Sequence, residues 1–169
     1  MEGVAPDPAL GLLELYDEAL PHVYGYLLAR CRDATLAEDL TAETFLAAVT
    51  AARRPAPPPP SVGWLIGVAR HKLADHWRRQ AREERGLRLL DADAEAEDPW
   101  DDTIDAIRAH TVLDTLGPHH RAALTLRYLD GLPVPEVADH LGRTVHATEA
   151  LLVRARAAFR RCYREEGSS

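Results

Sequence analysis

Two stretches of this chain carry residue types and spacings that can hold an anionic polymer, and none is arranged to make or break a covalent bond. Residues 70–88 hold seven cations (Arg70, Lys72, Arg78, Arg79, Arg82, Arg85 and Arg88) against three acids. A local stripe of this kind suits phosphate contacts. The second stretch, Leu132 to His146, reads as a helix-turn-helix. Val134, Val137, Ala138 and Leu141 recur at helical spacing, which predicts one buried face. Gly142 stands where a tight inter-helix turn needs a residue that tolerates positive φ. Thr144 is placed to cap the next helix, which runs through Leu151, Leu152, Ala155 and Phe159. A unit of this kind lays its second helix in a major groove, although an ordinary helical hairpin has a similar pattern.

Enzyme chemistry finds no support. No carboxylate pair, nucleophile–base set or glycine-rich phosphate loop emerges. His119 and His120 are adjacent, so they point apart on a helix, and His71 and His76 are five residues apart. No cysteine joins either pair, so the expectation is surface histidines, no metal and no cofactor.

The elements that position these residues are helices. Apolar side chains repeat at helical spacing, and no alternation long enough for a strand occurs, so the fold is predicted to be all-α. A first helix is expected from about Leu10 to Arg32, with Pro21 disturbing it. Its apolar side is Leu12, Leu15, Tyr16, Ala19, Val23, Tyr26 and Leu27. A second is expected from about Thr35 to Ala52, with Leu36, Leu40, Phe45, Leu46 and Val49 as its apolar set. Pro57-Pro58-Pro59-Pro60 then favours a stiff polyproline II connection. Ser61 can cap a third helix, carrying Trp64, Leu65, Val68, Ala69, Leu73 and Trp77 into the basic stripe. Four more helices are expected at about 103–116, 118–130, 133–141 and 145–163, with Pro118 in a first turn and Gly131 closing the second of them.

Charge divides the chain the same way. The net charge of −7 is concentrated, since residues 91–105 hold eight acids and no base, whereas 1–90 carry −1 and 106–169 carry +2. Alternating alanine and acid builds no core, so 89–105 reads as a flexible acidic linker between two small helical domains, 1–88 and 106–169. The 46% hydrophobic content suffices for two cores. No run of eighteen apolar residues occurs, so no membrane insertion is expected. The first residues lack a signal-peptide pattern. Cys31 and Cys162 are far apart and read as reduced, small hydrophobes of a cytoplasmic protein.

The order of these parts resembles bacterial sigma factors of the extracytoplasmic-function (ECF) group. Residues 37–46, AEDLTAETFL, look like that family's core-polymerase-binding helix. Residues 63–79, GWLIGVARHKLADHWRR, look like its helix that melts and reads the minus-ten element. Residues 116–132, LGPHHRAALTLRYLDGL, with the helix-turn-helix that follows, look like its domain for the minus-thirty-five element. The resemblance implies a promoter-specificity subunit whose partners are RNA polymerase core, promoter DNA and an anti-sigma factor.

Site residues follow from that resemblance. Asp39, Leu40, Glu43 and Phe45 are the candidates for polymerase binding, as an acidic stripe beside hydrophobes suits a basic helical surface. Trp64, Arg70, His71, Lys72, His76, Arg78 and Arg79 are the candidates for minus-ten DNA, since strand capture needs aromatic and cationic side chains. Lys72, His76 and Arg79 share one helical face, and Trp64 is expected in the core. Arg143, Thr144, His146, Ala147, Glu149, Arg154 and Arg156 are the candidates for minus-thirty-five DNA, by base-edge or phosphate contact. The chain departs from the family pattern in three places. Glu149 and Leu151 stand where lysine and arginine are common, Ala42 replaces a usual glutamine, and the proline-rich loop is atypical. The competing readings are a stand-alone helix-turn-helix regulator and a non-DNA interaction protein. The stand-alone regulator has no use for the acidic second helix or the basic, aromatic third, and co-purification with core polymerase separates the promoter-specificity subunit from both.

Overall fold

The computed structural model describes residues 7–85 and 105–168, except for the side chain of Pro8. Among the described residues all regular structure is helical: α1 (Pro8–Cys31), α2 (Ala34–Ala52), α3 (Val62–Arg85), α4 (Ala106–Thr115), α5 (Pro118–Leu124), a π turn (Thr125–Leu129), α6 (Val134–Leu141) and α7 (Val145–Glu166). The all-α expectation therefore stands. The chain forms two compact units, Met1–Leu73 and Ala74–Ser169, that divide within α3. The expected break after residue 88 lies outside the described residues, and so does the acidic linker except for Asp105. That residue caps α4, with its carboxylate accepting from the Ile107 N–H at 3.0 Å.

The first unit is built on α1 and α2. Leu12, Ala19, Val23 and Leu27 are buried along α1. The helix runs unbroken through Pro21, contrary to the disturbance expected there. Pro21 is exposed, and Ala19 and Val23 anchor the helix on both sides of it, so burial holds the turn that the missing N–H weakens. On α2 the expected apolar set is corrected. Only Leu40 of it is buried, and the buried face is Ala37, Leu40, Thr41, Thr44, Ala48 and Ala52. Small residues let two helices approach closely, and the hydroxyls of Thr41 and Thr44 are satisfied within α2 by the Ala37 and Leu40 carbonyls at 2.6 and 2.7 Å. Leu46 is thereby left 69% exposed. Ser61 caps α3 as expected, accepting from the Trp64 N–H at 3.1 Å. Leu65, Ala69 and Leu73 are buried along the part of α3 in this unit, and Trp77 along the part in the second.

In the second unit α4, α5 and α7 share a core of Val112, Leu113, Leu124, Ala155 and Phe159. Val137, Ala138 and Leu141 of α6 and Thr148, Leu151 and Leu152 of α7 are buried as well. The turn between α6 and α7 closes by two backbone bonds, Gly142 N–H to Asp139 at 3.2 Å and Arg143 N–H to Ala138 at 3.0 Å. This pairing places Gly142 in the left-handed region, at φ 63°, where a side chain is strained. Thr144 then caps α7, accepting from the Ala147 N–H at 3.1 Å. Thr144→Ala will lower stability by about 1 kcal/mol, whereas Thr144→Ser will hold it. Urea denaturation of the full chain checks this, and equal midpoints for the two variants would contradict it.

Candidate nucleic-acid interface and docking surface

The helix-turn-helix presents α7 by its first turns. His146, Glu149, Ala150 and Val153 follow helical spacing on one outward stripe. The first three are exposed and Val153 is half-buried. Ala150 and Val153 belong to this face and were missed in the sequence. Their outward position follows from the buried Thr148, Leu151 and Leu152, which could have been recognised as the opposite side. Arg154 and Arg156 are half-buried and, two residues apart at 3.6 residues per turn, stand on opposite flanks of the stripe. Ala147 is half-buried and supplies the capped N–H, so its part is to start the helix. Exposed Thr144 is that cap. Arg143 is turned toward α5, where its Nη2 lies 3.3 Å from Nδ1 of His119. The structure thus brings His146 and Glu149 together on one outward stripe, sets the two arginines beside it, and places Arg143 off it.

The cations of α3 are displayed unevenly. His71 and Arg79 are exposed, while Arg70, Lys72, His76 and Arg78 are half-buried. Arg70 lies over the ring of Tyr26 at 5.9 Å, and Arg30 approaches the same ring at 3.7 Å. Arg78 pairs with Asp75 at 3.2 Å on the solvent side. Lys72, His76 and Arg79 share the face expected of them, with Arg79 the most open of the three. Trp64 corrects an expectation. It is half-buried, not core, and lines a cleft of about 490 Å³ with Pro57–Pro60 and Leu10. The stiff proline run takes the place of a helix as its wall, which leaves part of the indole open. Trp77 is the buried member of the pair, at 2% exposure.

On α2 two ridges run side by side. Glu38, Ala42 and Phe45 face α1 across an apolar cleft of about 450 Å³ that Tyr16, Leu20 and Tyr24 complete. Phe45 packs edge-on against Tyr16 with ring centroids 4.9 Å apart. Asp39, Glu43 and Leu46 form the neighbouring ridge at i, i+4 and i+7 spacing. Asp39 and Leu46 are exposed and Glu43 is half-buried. Leu40 is 1% exposed and belongs to the core, so it supports this surface without touching a partner. Leu46 is the residue that sequence reasoning misplaced. It belongs to the apolar set expected of the second helix, yet it shares the ridge of the two acids.

Two helical modules, one with a helix-turn-helix and the other with an acidic ridge and a cationic helix, define an all-α protein of two modules. The family model described as sigma-70 region 2 matches residues 15–83, and that described as sigma-70 region 4 matches residues 107–159. The ECF RNA polymerase sigma factor BldN of Streptomyces coelicolor is 34% identical over 147 residues, which cover 83% of this chain and 56% of that protein. The chain therefore spans little more than half the length of BldN. A probable RNA polymerase sigma-C factor of Mycobacterium bovis is 33% identical over 153 residues, covering 87% of this chain and 80% of that one. Among solved structures, the sigma factor RpoE of Bartonella quintana, determined in complex with the anti-sigma factor NepR, shares the fold with a TM-score of 0.53 at 19% identity, over 89% of this chain and 94% of that chain. The chain belongs to the ECF RNA polymerase sigma factors and carries sigma-70 regions 2 and 4.

Proposed function

We propose that this protein is a promoter-specificity subunit, which binds RNA polymerase core and directs it to promoters carrying two DNA elements. Residues 1–88 dock polymerase and melt and read the minus-ten element, residues 106–169 read the minus-thirty-five element, and 89–105 join them. The protein acts in the cytoplasm, by binding alone, and catalyses no reaction. One observation favours this over a stand-alone regulator. The outward stripe of α7, His146, Glu149, Ala150 and Val153, contains no lysine or arginine. Non-specific affinity for duplex comes from cations that release counterions, and here they stand only on the flanks. The net charge of −7 opposes approach further. A subunit delivered to DNA by polymerase needs only discriminating contacts from that helix.

Transcripts made on genomic DNA by core polymerase with and without the full chain test the proposal. Discrete new start sites sharing two upstream elements are expected. Tight promoter binding by the free chain, with no co-elution with core, would overturn it. The same reading gives the acidic linker a role in holding the free chain off DNA. Replacing the eight acids of 91–105 with serine and asparagine will strengthen binding of free chain to duplex and impair initiation with polymerase. If neither changes, the segment is only a tether. An anti-sigma partner completes the proposal, because two small modules on a charged connection can be clamped so that both DNA-facing surfaces are hidden. Leu13 and Leu46, 70% and 69% exposed, offer apolar contact to such a partner. Pull-downs that recover polymerase alone under every growth condition would count against it.

A further inference from the structure

We propose that Tyr128 is a positioning residue, which holds Arg156 of α7 as a clamp for the sugar–phosphate backbone of the upstream promoter duplex. The inference rests on the reading of α7 as the DNA-facing helix, and it extends the site to Arg127 and Tyr128, outside the helix-turn-helix. After α5 the chain does not continue as an α-helix. It widens into the π turn Thr125–Leu129, where the Asp130 N–H reaches the Thr125 carbonyl at 3.0 Å and the Leu132 N–H reaches Leu126 at 3.1 Å. Such turns re-aim the side chains that follow and recur at functional sites. Thr125 and Leu126 stay buried at 1% and 2%, while Tyr128 is left 47% exposed.

What the displaced ring meets is a pair of cations. Arg156 donates from Nη1 to the Tyr128 hydroxyl at 3.1 Å. The Arg127 guanidinium lies over the Tyr128 ring at 5.9 Å, and its Nη1 donates to the Leu132 carbonyl at 3.0 Å, which closes the loop. Both arginines are half-buried, and among the described residues neither is paired with a carboxylate. Their positive charges are held by neutral oxygens and an aromatic ring, so they remain available to an anion.

Position on α7 selects the anion. Arg156 lies on one flank of the stripe formed by His146, Glu149, Ala150 and Val153. A helix about 10–12 Å across nearly fills a major groove about 12 Å wide, so the flanks of its outward face approach phosphates while the centre approaches bases. Tyrosine supplies an acceptor that fixes one guanidinium N–H and leaves the other donors for a phosphodiester. Pre-setting a long side chain in this way lowers the entropy lost when the contact forms.

Equilibrium binding of holoenzyme, reconstituted with the full chain, to promoter duplex tests the clamp over a range of salt. Tyr128→Phe keeps the ring and removes only the exposed hydroxyl, so its thermal midpoint will stay close to that of the parent. Its affinity will fall by about threefold on all upstream sequences alike. Arg156→Ala will weaken binding by about tenfold and reduce the salt slope by about one phosphate. The double variant will bind no more weakly than Arg156→Ala, because the hydroxyl acts through the arginine. Parental affinity in Tyr128→Phe, an effect confined to one base pair, or full multiplication of the two losses would each overturn the assignment. If Arg156→Ala binds normally while the parent still selects its element, the clamp fails and the reading of α7 stands. If the parent selects no upstream sequence at all, that reading fails and takes the clamp with it.

Discussion

Reversing Asp39 and Glu43 to lysine will weaken binding to core polymerase by about a hundredfold, about 2.7 kcal/mol, with helicity unchanged. The two residues stand four apart on the ridge of α2 that Leu46 completes, and Asp39 is open to solvent. Acidic groups beside an exposed leucine complement a basic, apolar helical surface, and opposing like charges across such a contact costs several kcal/mol. Lysine is a good helix former and both positions lie within the helix, away from its termini, so the substitutions leave the fold intact. Leu46→Ala separates apolar from electrostatic attraction. It will cost about tenfold, in line with about 1.5–3 kcal/mol for burying a leucine, and that loss will persist at high salt. Leu40→Ala is a different experiment. Its side chain is 1% exposed, so its removal costs about 2–5 kcal/mol of stability and reports on folding instead. Titration of fluorescently labelled full chain with core checks the set. Parental affinity in the charge-reversed double variant would remove α2 as the docking surface.

Leu46 also shows where sequence reading reaches its limit. Large apolar residues at helical spacing make up the apolar set expected of α2, but its buried face is mostly alanines and threonines. Periodicity reports that a helix has faces and says less about which face wins when a partner outside the chain competes for one of them. Trp64 departs from its expected core position for a related reason, since a proline run forms part of the wall around it. Pro21 shows the reverse case, a breaker overridden by burial on both sides. Local chemistry was much more legible. Thr144, Ser61, Pro118 and Gly142 act within one turn of chain, and each does what its side chain or φ preference dictates. The π turn at Thr125–Leu129 left no such mark, since no residue type in it dictates the wider hydrogen-bond pattern. Tyr128 and Arg127 were missed with it.

Separate failures are expected of the two modules, and they provide the sharpest test of their assignment. Arg79 is exposed on the basic face of α3, and Arg78 beside it is engaged with Asp75 on the solvent side. Changing both to alanine will slow promoter opening by about tenfold or more, while initial recruitment is nearly preserved, because strand capture follows docking. His146 is exposed in the first turn of α7, the end by which the second helix of a helix-turn-helix reaches a groove. His146→Ala will reduce recruitment itself. If it contacts a base edge, the loss is about 1–3 kcal/mol and preference relaxes at one upstream position; a phosphate contact would weaken all sequences alike. Arg143 differs from His146 despite lying three residues away. Its guanidinium reaches His119, so Arg143→Ala acts first on the turn and lowers recruitment without relaxing any single base position. Footprinting measures occupancy and permanganate reactivity of unpaired thymines measures opening, so one preparation distinguishes the outcomes. Should the His146 variant occupy promoters normally and yet fail to open them, the roles assigned to the two modules are reversed.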